Sequence, residues 1–282
     1  MAMTRWQTWI PAWLKPHRLH VPADVLHCSI HQNLYHCTVQ KSASQWIRLL
    51  LSDQLTFKYS GMTPYQYQQQ LPGKFDPRKL TERRFSSAFP HGTIATPIYV
   101  DFAGYASIPK PAHFKAFFVM RDPRDVVVSW YFSAKLSHKA QGDLERVRQD
   151  LLRLDEADGL RYAIDYLSDF GLFAAQRSWA DAPAKDANVL LVRYEDLIGP
   201  EQLAEIERLW THCDIRMPRA DVDELLTSQC FERLSGRRRG DEDARAHFRK
   251  GIAGDWRNHF TVAVHARFQA AAGDVLEIWN YT

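Results

Sequence analysis

The stretch HCTVQKSASQWIRLLLSD, residues 36–53, decides the fold. His36 to Gln40 are short and largely apolar, as a strand requires, and the run after Trp46 carries the unbroken leucines of a buried helix. The turn between them, Lys41-Ser42-Ala43-Ser44-Gln45-Trp46, therefore sits at the carboxyl end of a strand with a helix N-terminus aimed at it. Backbone N–H groups, small hydroxyl side chains and a lysine in that position make an anion site for phosphate or sulfate. The GxxxxGK[ST] spacing of a Walker A loop is absent. The plain structural alternative is a serine N-cap beside a solvated lysine.

The same strand-then-helix order recurs further along. FKAFFVM, Phe114 to Met120, leads into RDPRDVVVSWYFSAK, and NVLLVRYEDL, Asn188 to Leu197, precedes the helical EQLAEIERLW. Each apolar run is continuous rather than alternating, the pattern of strands covered on both faces of a parallel sheet. Leu144, Val147, Leu151 and Leu154 mark one face of a helix between them, and Arg161 to Trp179 reads as another. The expected fold is thus α/β: a single-domain, P-loop-kinase-like parallel sheet flanked by helices. Tyr59 to Pro90, with Gly61, Pro64, Pro72, Gly73 and Pro77, breaks the rhythm and reads as an irregular binding loop or lid.

Composition agrees with one globular domain. Of 282 residues, 45% are hydrophobic and 24% charged, which excludes a disordered chain. A net charge of +3 argues against a dedicated nucleic-acid binder. Cys28, Cys37, Cys213 and Cys230 form no CxxC pair and read as reduced thiols of a cytoplasmic protein. No apolar run approaches a transmembrane span. Residues 1–25 read as an N-terminal extension, tryptophan-rich but without the apolar core of a signal peptide, and 26–282 as the domain.

Two further constellations carry chemistry. In Arg121-Asp122-Pro123-Arg124-Asp125, a helix starting at Pro123 adds its dipole to the guanidinium fork of Arg121, and Ser129 follows about two turns on. A structural Arg–Asp pairing at the helix start is the alternative. In Phe248-Arg249-Lys250-Gly251-Ile252-Ala253-Gly254-Asp255-Trp256, two cations and glycine backbone can clamp a phosphate. The preceding Arg237-Arg238-Arg239 reads as a solvated face.

These motifs, in this order, resemble the sulfotransferases that use 3′-phosphoadenosine 5′-phosphosulfate, from about His36 to Thr261. KSASQW is similar to the family's 5′-phosphosulfate loop, RDPRDVVVSW to its 3′-phosphate-binding strand and helix, LVRYEDL to its adenine-contacting strand end, and FRKGIAGDWRNHFT to its C-terminal signature. The wording RDPRDVVVSWYFS is nearest to bacterial members acting on small molecules or glycans. The resemblance implies that Lys41 touches the bridging oxygen of the donor while Ser42, Ala43, Ser44 and Gln45 cradle its 5′-phosphate and Trp46 stacks on adenine. It implies that Arg121 and Ser129 hold the 3′-phosphate, with Arg249, Lys250 and Gly251 closing on it. Tyr194 would contact the adenine, Phe231 would stack on it, and Gln229 would hydrogen-bond beside it. Sulfuryl transfer resembles phosphoryl transfer in its loose transition state, so positioning and charge stabilisation suffice, with no metal.

The family's usual base, a histidine after a threonine at a strand end, is replaced in HGTIATPIYVDF by Pro97. Asp101 and His91 are the candidate catalytic bases, Asp101 favoured by position and His91 by its ordinary pKa; a capping aspartate is the alternative role of Asp101. Tyr59, Tyr65, Tyr67, Tyr99 and Tyr105 are candidates to line the acceptor pocket, for a small-molecule or glycan hydroxyl or an amine. RNHFTVAVHA is similar to a family dimerisation segment, but Ala266 stands at its usual glutamate, which argues against a homodimer by that route. His27, His31 and His36 close no metal site and read as core or surface residues. Two rivals stay open: a small-molecule kinase, and a nucleotide-binding protein of the same fold without transfer activity.

Overall fold

The structure is a computed structural model that describes residues 25–138 and 143–281. The expected extension over 1–25 lies, apart from Val25, outside the described residues. Five strands, β1 (Asn33–Thr38), β2 (Thr63–Tyr65), β3 (Thr93–Tyr99), β4 (Phe114–Met120) and β5 (Val189–Arg193), form one sheet in the order β2-β3-β1-β4-β5. Every pairing is parallel. The helices in chain order begin with α1 (Ser44–Leu51), α2 (Gln54–Lys58), α3 (Phe102–Ser107) and α4 (Pro123–Phe132), the last continuing into a π-helical turn at Ser133–Ser137. There follow α5 (Leu144–Arg153), α6 (Glu156–Asp169), α7 (Leu172–Trp179), α8 (Ala182–Lys185) and α9 (Tyr194–Ile198). The chain ends with α10 (Gln202–His212), α11 (Arg219–Ser228), α12 (Phe231–Ser235) and α13 (Val262–Ile278).

The continuous apolar strands are explained by a core on each face. Along β4, Ala116, Phe118 and Met120 join the cluster that holds Val126, Leu160, Phe173 and Phe268. The alternate residues Phe117 and Val119 join Ile47, Leu50, Leu209 and Leu225 on the other face. A period of two thus feeds two helical layers, and the central strand β1 is buried along its whole length while the edge strands β2 and β5 are partly open.

Several boundaries move. The first strand begins at Asn33 rather than His36, and the last stops at Arg193 because Tyr194 opens α9. The single helix expected from Arg161 to Trp179 is two: Gly171, at φ 81°, breaks the chain between α6 and α7. The excursion from Tyr59 to Pro90 contains β2, which adds an edge strand on β3. Pro97 lies inside β3, where it lacks a ladder donor. The pairing passes from Tyr35↔Ala95 to Cys37↔Ile98, so Thr96 and Pro97 face the single residue His36 as a bulge.

Two of the histidines read as core or surface residues have partners in the fold. His36 is fully buried, bonds Thr96 Oγ1 at 2.8 Å through Nδ1 and stacks on Phe117; burial takes its pKa down to about 3. His27 meets the Asp214 carboxylate at 3.1 Å. All four cysteines are free thiols. Among the described residues no helix is long and apolar enough to cross a membrane.

Candidate functional site

The site forms at the carboxyl ends of the central strands. After β1 the chain turns through Lys41 and Ala43, both in the left-handed region at φ 67° and 58°, and Ala43 caps α1. Such backbone strain on non-glycine residues concentrates at ligand-binding turns. Ser42 is fully buried and its hydroxyl has no hydrogen-bond partner. Burial, then the charges of Arg121 and Arg249, lower the Lys41 ammonium to about 8.

Arg121 enters from the end of β4. Its Nη1 donates to the Lys41 carbonyl at 3.0 Å, its guanidinium lies 4.7 Å from the Tyr194 ring centre, and its buried Nε has no partner. The rest of the RDPRD motif builds the frame around it. Asp122 caps α4 by accepting from the Arg124 backbone N–H, and it also pairs with the Arg124 guanidinium at 2.7 Å. Asp125, 1% exposed, accepts the backbone N–H groups of Gly254 at 2.6 Å and Trp256 at 2.9 Å. One short motif therefore ties the β4 end to the C-terminal loop.

That loop carries Arg249, Lys250 and Gly251. Arg249 pairs with Glu242 at 2.6 Å and with Asp255, and Lys250 reaches Asp255 at 2.6 Å. These cations, with Asn258 and His259, hold the Asp255 carboxyl far below its ordinary range against the opposing effect of burial. Gly251, at φ 70°, backs so closely on Phe231 that a Cβ there would lie 2.4 Å from the ring. Arg237, expected on a solvated face, instead donates to the Arg249 carbonyl at 2.9 Å and to that of Phe248, bracing the loop. Trp46 donates through Nε1 to the Gln229 carbonyl at 2.9 Å, which brings α1 to the end of α11 beside Phe231. Ser129 is half-buried in the second turn of α4.

Lys41, Arg121 and Arg249 are thus brought together, and Trp46, Gln229, Phe231 and Gly251 form a second group nearby. Tyr194 is 7% exposed with Arg121 over its face, so it supports the guanidinium from beneath. The unpartnered Ser42 Oγ and Arg121 Nε, two buried polar atoms in a cationic turn, fit a bound polyanion.

The two candidate bases fare differently from expectation. His91 is exposed in the turn before β3, at the opposite end of the strand from Lys41. At ~3.3 Å per residue, seven residues of strand separate it from the site by roughly 20 Å. Asp101 follows the right end of β3, but its Oδ1 accepts the Gly104 N–H at 2.6 Å as the N-cap of α3 and meets Arg84 at 3.3 Å. Its Oδ1 is committed to capping and to Arg84. Burial raises its pKa.

Three side chains at the site carry more weight than the sequence reading gave them. Tyr99, named there only as a pocket-lining candidate, ends β3 and bonds Ser44 Oγ at 2.8 Å and Gln45 Nε2 at 3.3 Å. Arg48 donates through Nε to Gln45 Oε1 at 3.0 Å. His247 is an exposed residue whose pKa is lowered to about 4 by the partial burial of its ring and then by the charges of Lys41, His138 and Arg48. A signal existed for Arg48, the single charge inside the apolar run WIRLLL. None existed for His247, which reaches the site only through the fold of the loop.

Comparison with known proteins follows the same lines. The sulfotransferase domain profile matches residues 105–279. Human sulfotransferase 2B1 is 27% identical over 169 residues, covering 56% of this chain and 43% of that protein. Rat sulfotransferase 1 family member D1 is 24% identical over 167 residues, covering 55% and 52%. The chain spans about half the length of these curated relatives. Among solved structures, mouse sulfotransferase SULT7A1 complexed with PAP superposes with a TM-score of 0.58 at 17% identity, covering 89% of this chain and 85% of that one. Retinol dehydratase in complex with androsterone and inactive cofactor PAP gives a TM-score of 0.51 at 16% identity over 87% and 80%. The profile begins at Tyr105, after the Lys41 turn. With well over half of its residues inside that profile, the chain belongs to the sulfotransferase family.

Proposed function

We propose that this chain transfers a sulfuryl group from 3′-phosphoadenosine 5′-phosphosulfate to a hydroxyl, or with less support an amine, of an organic acceptor by in-line displacement. The observation that carries the reading is the convergence of Lys41, Arg121 and Arg249 at one turn, with Lys41 held near pKa 8 by burial and by the other two. Like charges gathered without a shared carboxylate at Lys41 favour a highly anionic ligand. The relatives are named as sulfotransferases and two structural neighbours hold PAP, which supports the same donor. The donor, when bound, supplies an activated sulfuryl group on its 5′-phosphate.

The chain's own residues do the rest. Lys41 and the N-terminus of α1 stabilise negative charge at the turn. Arg121, fixed to the Lys41 carbonyl, ties the 3′-phosphate side to the reacting side. Trp46, Gln229 and Phe231 provide the base-stacking wall. His247 takes the part of general base in place of His91 and Asp101: its ring is neutral at pH 7 and shares its surroundings with Lys41. Binding an anionic donor offsets the cations around it and raises its basicity. The four free thiols support a reducing, cytoplasmic setting. The bacterial branch rests on the wording of RDPRDVVVSWYFS; the relatives described above are mammalian.

Calorimetry with adenosine 3′,5′-bisphosphate, AMP and magnesium-ATP tests the donor site. The bisphosphate should bind at least a hundredfold more tightly than AMP, and Arg121→Ala should abolish that preference. Equal or tighter binding of magnesium-ATP would overturn the reading in favour of a kinase.

A further inference from the structure

Four arginines are buried among the described residues: Arg48, Arg83, Arg121 and Arg124. Three have an acid. Arg83 lies 3.6 Å from Asp76, Arg121 lies 3.8 Å from Asp125, and Arg124 lies 2.7 Å from Asp122. Arg48, 8% exposed, has no carboxylate within ion-pair distance among the described residues. Its one hydrogen bond there runs from Nε to the neutral Gln45, which leaves both terminal nitrogens of the fork unused. The stem of this side chain is buried while its open fork has no counter-ion among the described residues, and the fork geometry matches a carboxylate, sulfate or phosphate with two parallel bonds.

The sheet order sets this fork apart from the end of β4. β3 and β4 flank β1 on opposite sides, with Arg121 at the end of β4 and Tyr99 at the end of β3. Arg48 belongs to the β3 side, joined to Tyr99 through Gln45. The donor's 3′-phosphate is provided for on the β4 side by Arg121 and Arg249, and its 5′-phosphate by the Lys41 turn between the two strands. His247 feels the charges of both Lys41 and Arg48. We infer that the acceptor is an anion: a hydroxyl compound that also carries a carboxylate, sulfate or phosphate, held by Arg48 so that its hydroxyl faces Lys41 and His247. The inference rests on the sulfuryl-transfer reading and narrows its acceptor class.

The test is binding to the full chain saturated with adenosine 3′,5′-bisphosphate. Titration calorimetry compares 4-hydroxyphenylacetate with its uncharged methyl ester, in the natural chain and in Arg48→Gln and Arg48→Lys. The carboxylate should bind at least tenfold more tightly than the ester, with the preference lost in Arg48→Gln and partly restored in Arg48→Lys. Bisphosphate affinity should fall less than fivefold in both variants, the lost bond to Gln45 being the one route among the described residues from Arg48 to the donor loop. Because the unfilled charge burdens the free protein, the thermal midpoint of Arg48→Gln should equal or exceed that of the natural chain. Equal affinity for acid and ester, including no measurable binding of either, overturns the inference, as does a preference that survives Arg48→Gln. A large loss of bisphosphate affinity in Arg48→Gln also overturns it, since Arg48 would then serve the donor's own sulfuryl end. Failure of the natural chain to bind bisphosphate sinks the donor reading, a result separable from loss of acid preference alone.

Discussion

At the scale of single residues, the site is two ionisable groups pushed away from their ordinary values by one cationic neighbourhood. Lys41 is lowered to about 8 by burial, Arg121 and Arg249, and His247 to about 4 by burial, Lys41, His138 and Arg48. Both shifts move toward the neutral form. Lys41 therefore carries its charge below about 8 and loses it above, whereas His247 is charged only below about 4. A lysine that must be protonated and a histidine that must not be give a bell-shaped dependence of kcat/KM, which reports the free enzyme. The value of kcat/KM with any accepted hydroxyl compound should rise as pH climbs through about 4, hold to about 8, and fall beyond. His247→Ala should remove the acid limb and cut turnover by roughly 10²–10⁴, the usual worth of a general base. Lys41→Arg should carry the alkaline limb past pH 10. An acid limb unchanged in His247→Ala would remove the histidine from the mechanism.

At the scale of elements, an aspartate after a strand is set to work by the helix that begins beside it. Asp101 and Asp122 both follow a strand and cap the next helix, by accepting from the Gly104 and Arg124 backbone N–H groups respectively. The capping role separates Asp101 from catalysis in a measurable way. Asp101→Ala should lower the unfolding free energy by about 1 kcal/mol, the common cost of a lost N-cap, and leave kcat within about threefold. A fall of a hundredfold or more at unchanged stability would return Asp101 to the role of base. Much of this was legible beforehand. Phe114–Met120 as a strand and Pro123 as the start of α4 follow from apolar continuity and from proline's fixed φ. Lys41 at a strand-to-helix turn follows from the same alternation. The β2 strand did not, because three residues of TPY carry no periodicity and gain their partner only once β3 is in place. His247 did not either: it sits in irregular chain whose path is set by distant bonds, from Arg237 to the carbonyls of Phe248 and Arg249 and from Gly254 to Asp125.

At the scale of the molecule, the strand order splits the site into two sides that share one lysine. β4 and β5 bring Arg121 and Tyr194, β3 brings Tyr99, and α1 rises from between them. The C-terminal loop crosses over both sides and is held to α4 by Asp125. A net charge of only +3 hides a local concentration of cations whose mutual repulsion the fold has to overcome. A polyanion that fits should relieve that repulsion and stabilise the whole domain, because it binds the folded chain and not the unfolded one. At a concentration one hundred times its Kd, adenosine 3′,5′-bisphosphate should add about 2.7 kcal/mol to the unfolding free energy, read as a rise of several degrees in Tm. AMP at the same concentration should add far less, and Arg121→Ala should lose most of the gain with bisphosphate. Moderate salt should shrink the shift, since screening weakens the same repulsion and the same attraction. If AMP and bisphosphate raised Tm equally, the cations on the β4 side would have no second phosphate to hold. The division of the site into a donor half and an acceptor half would then fall with them.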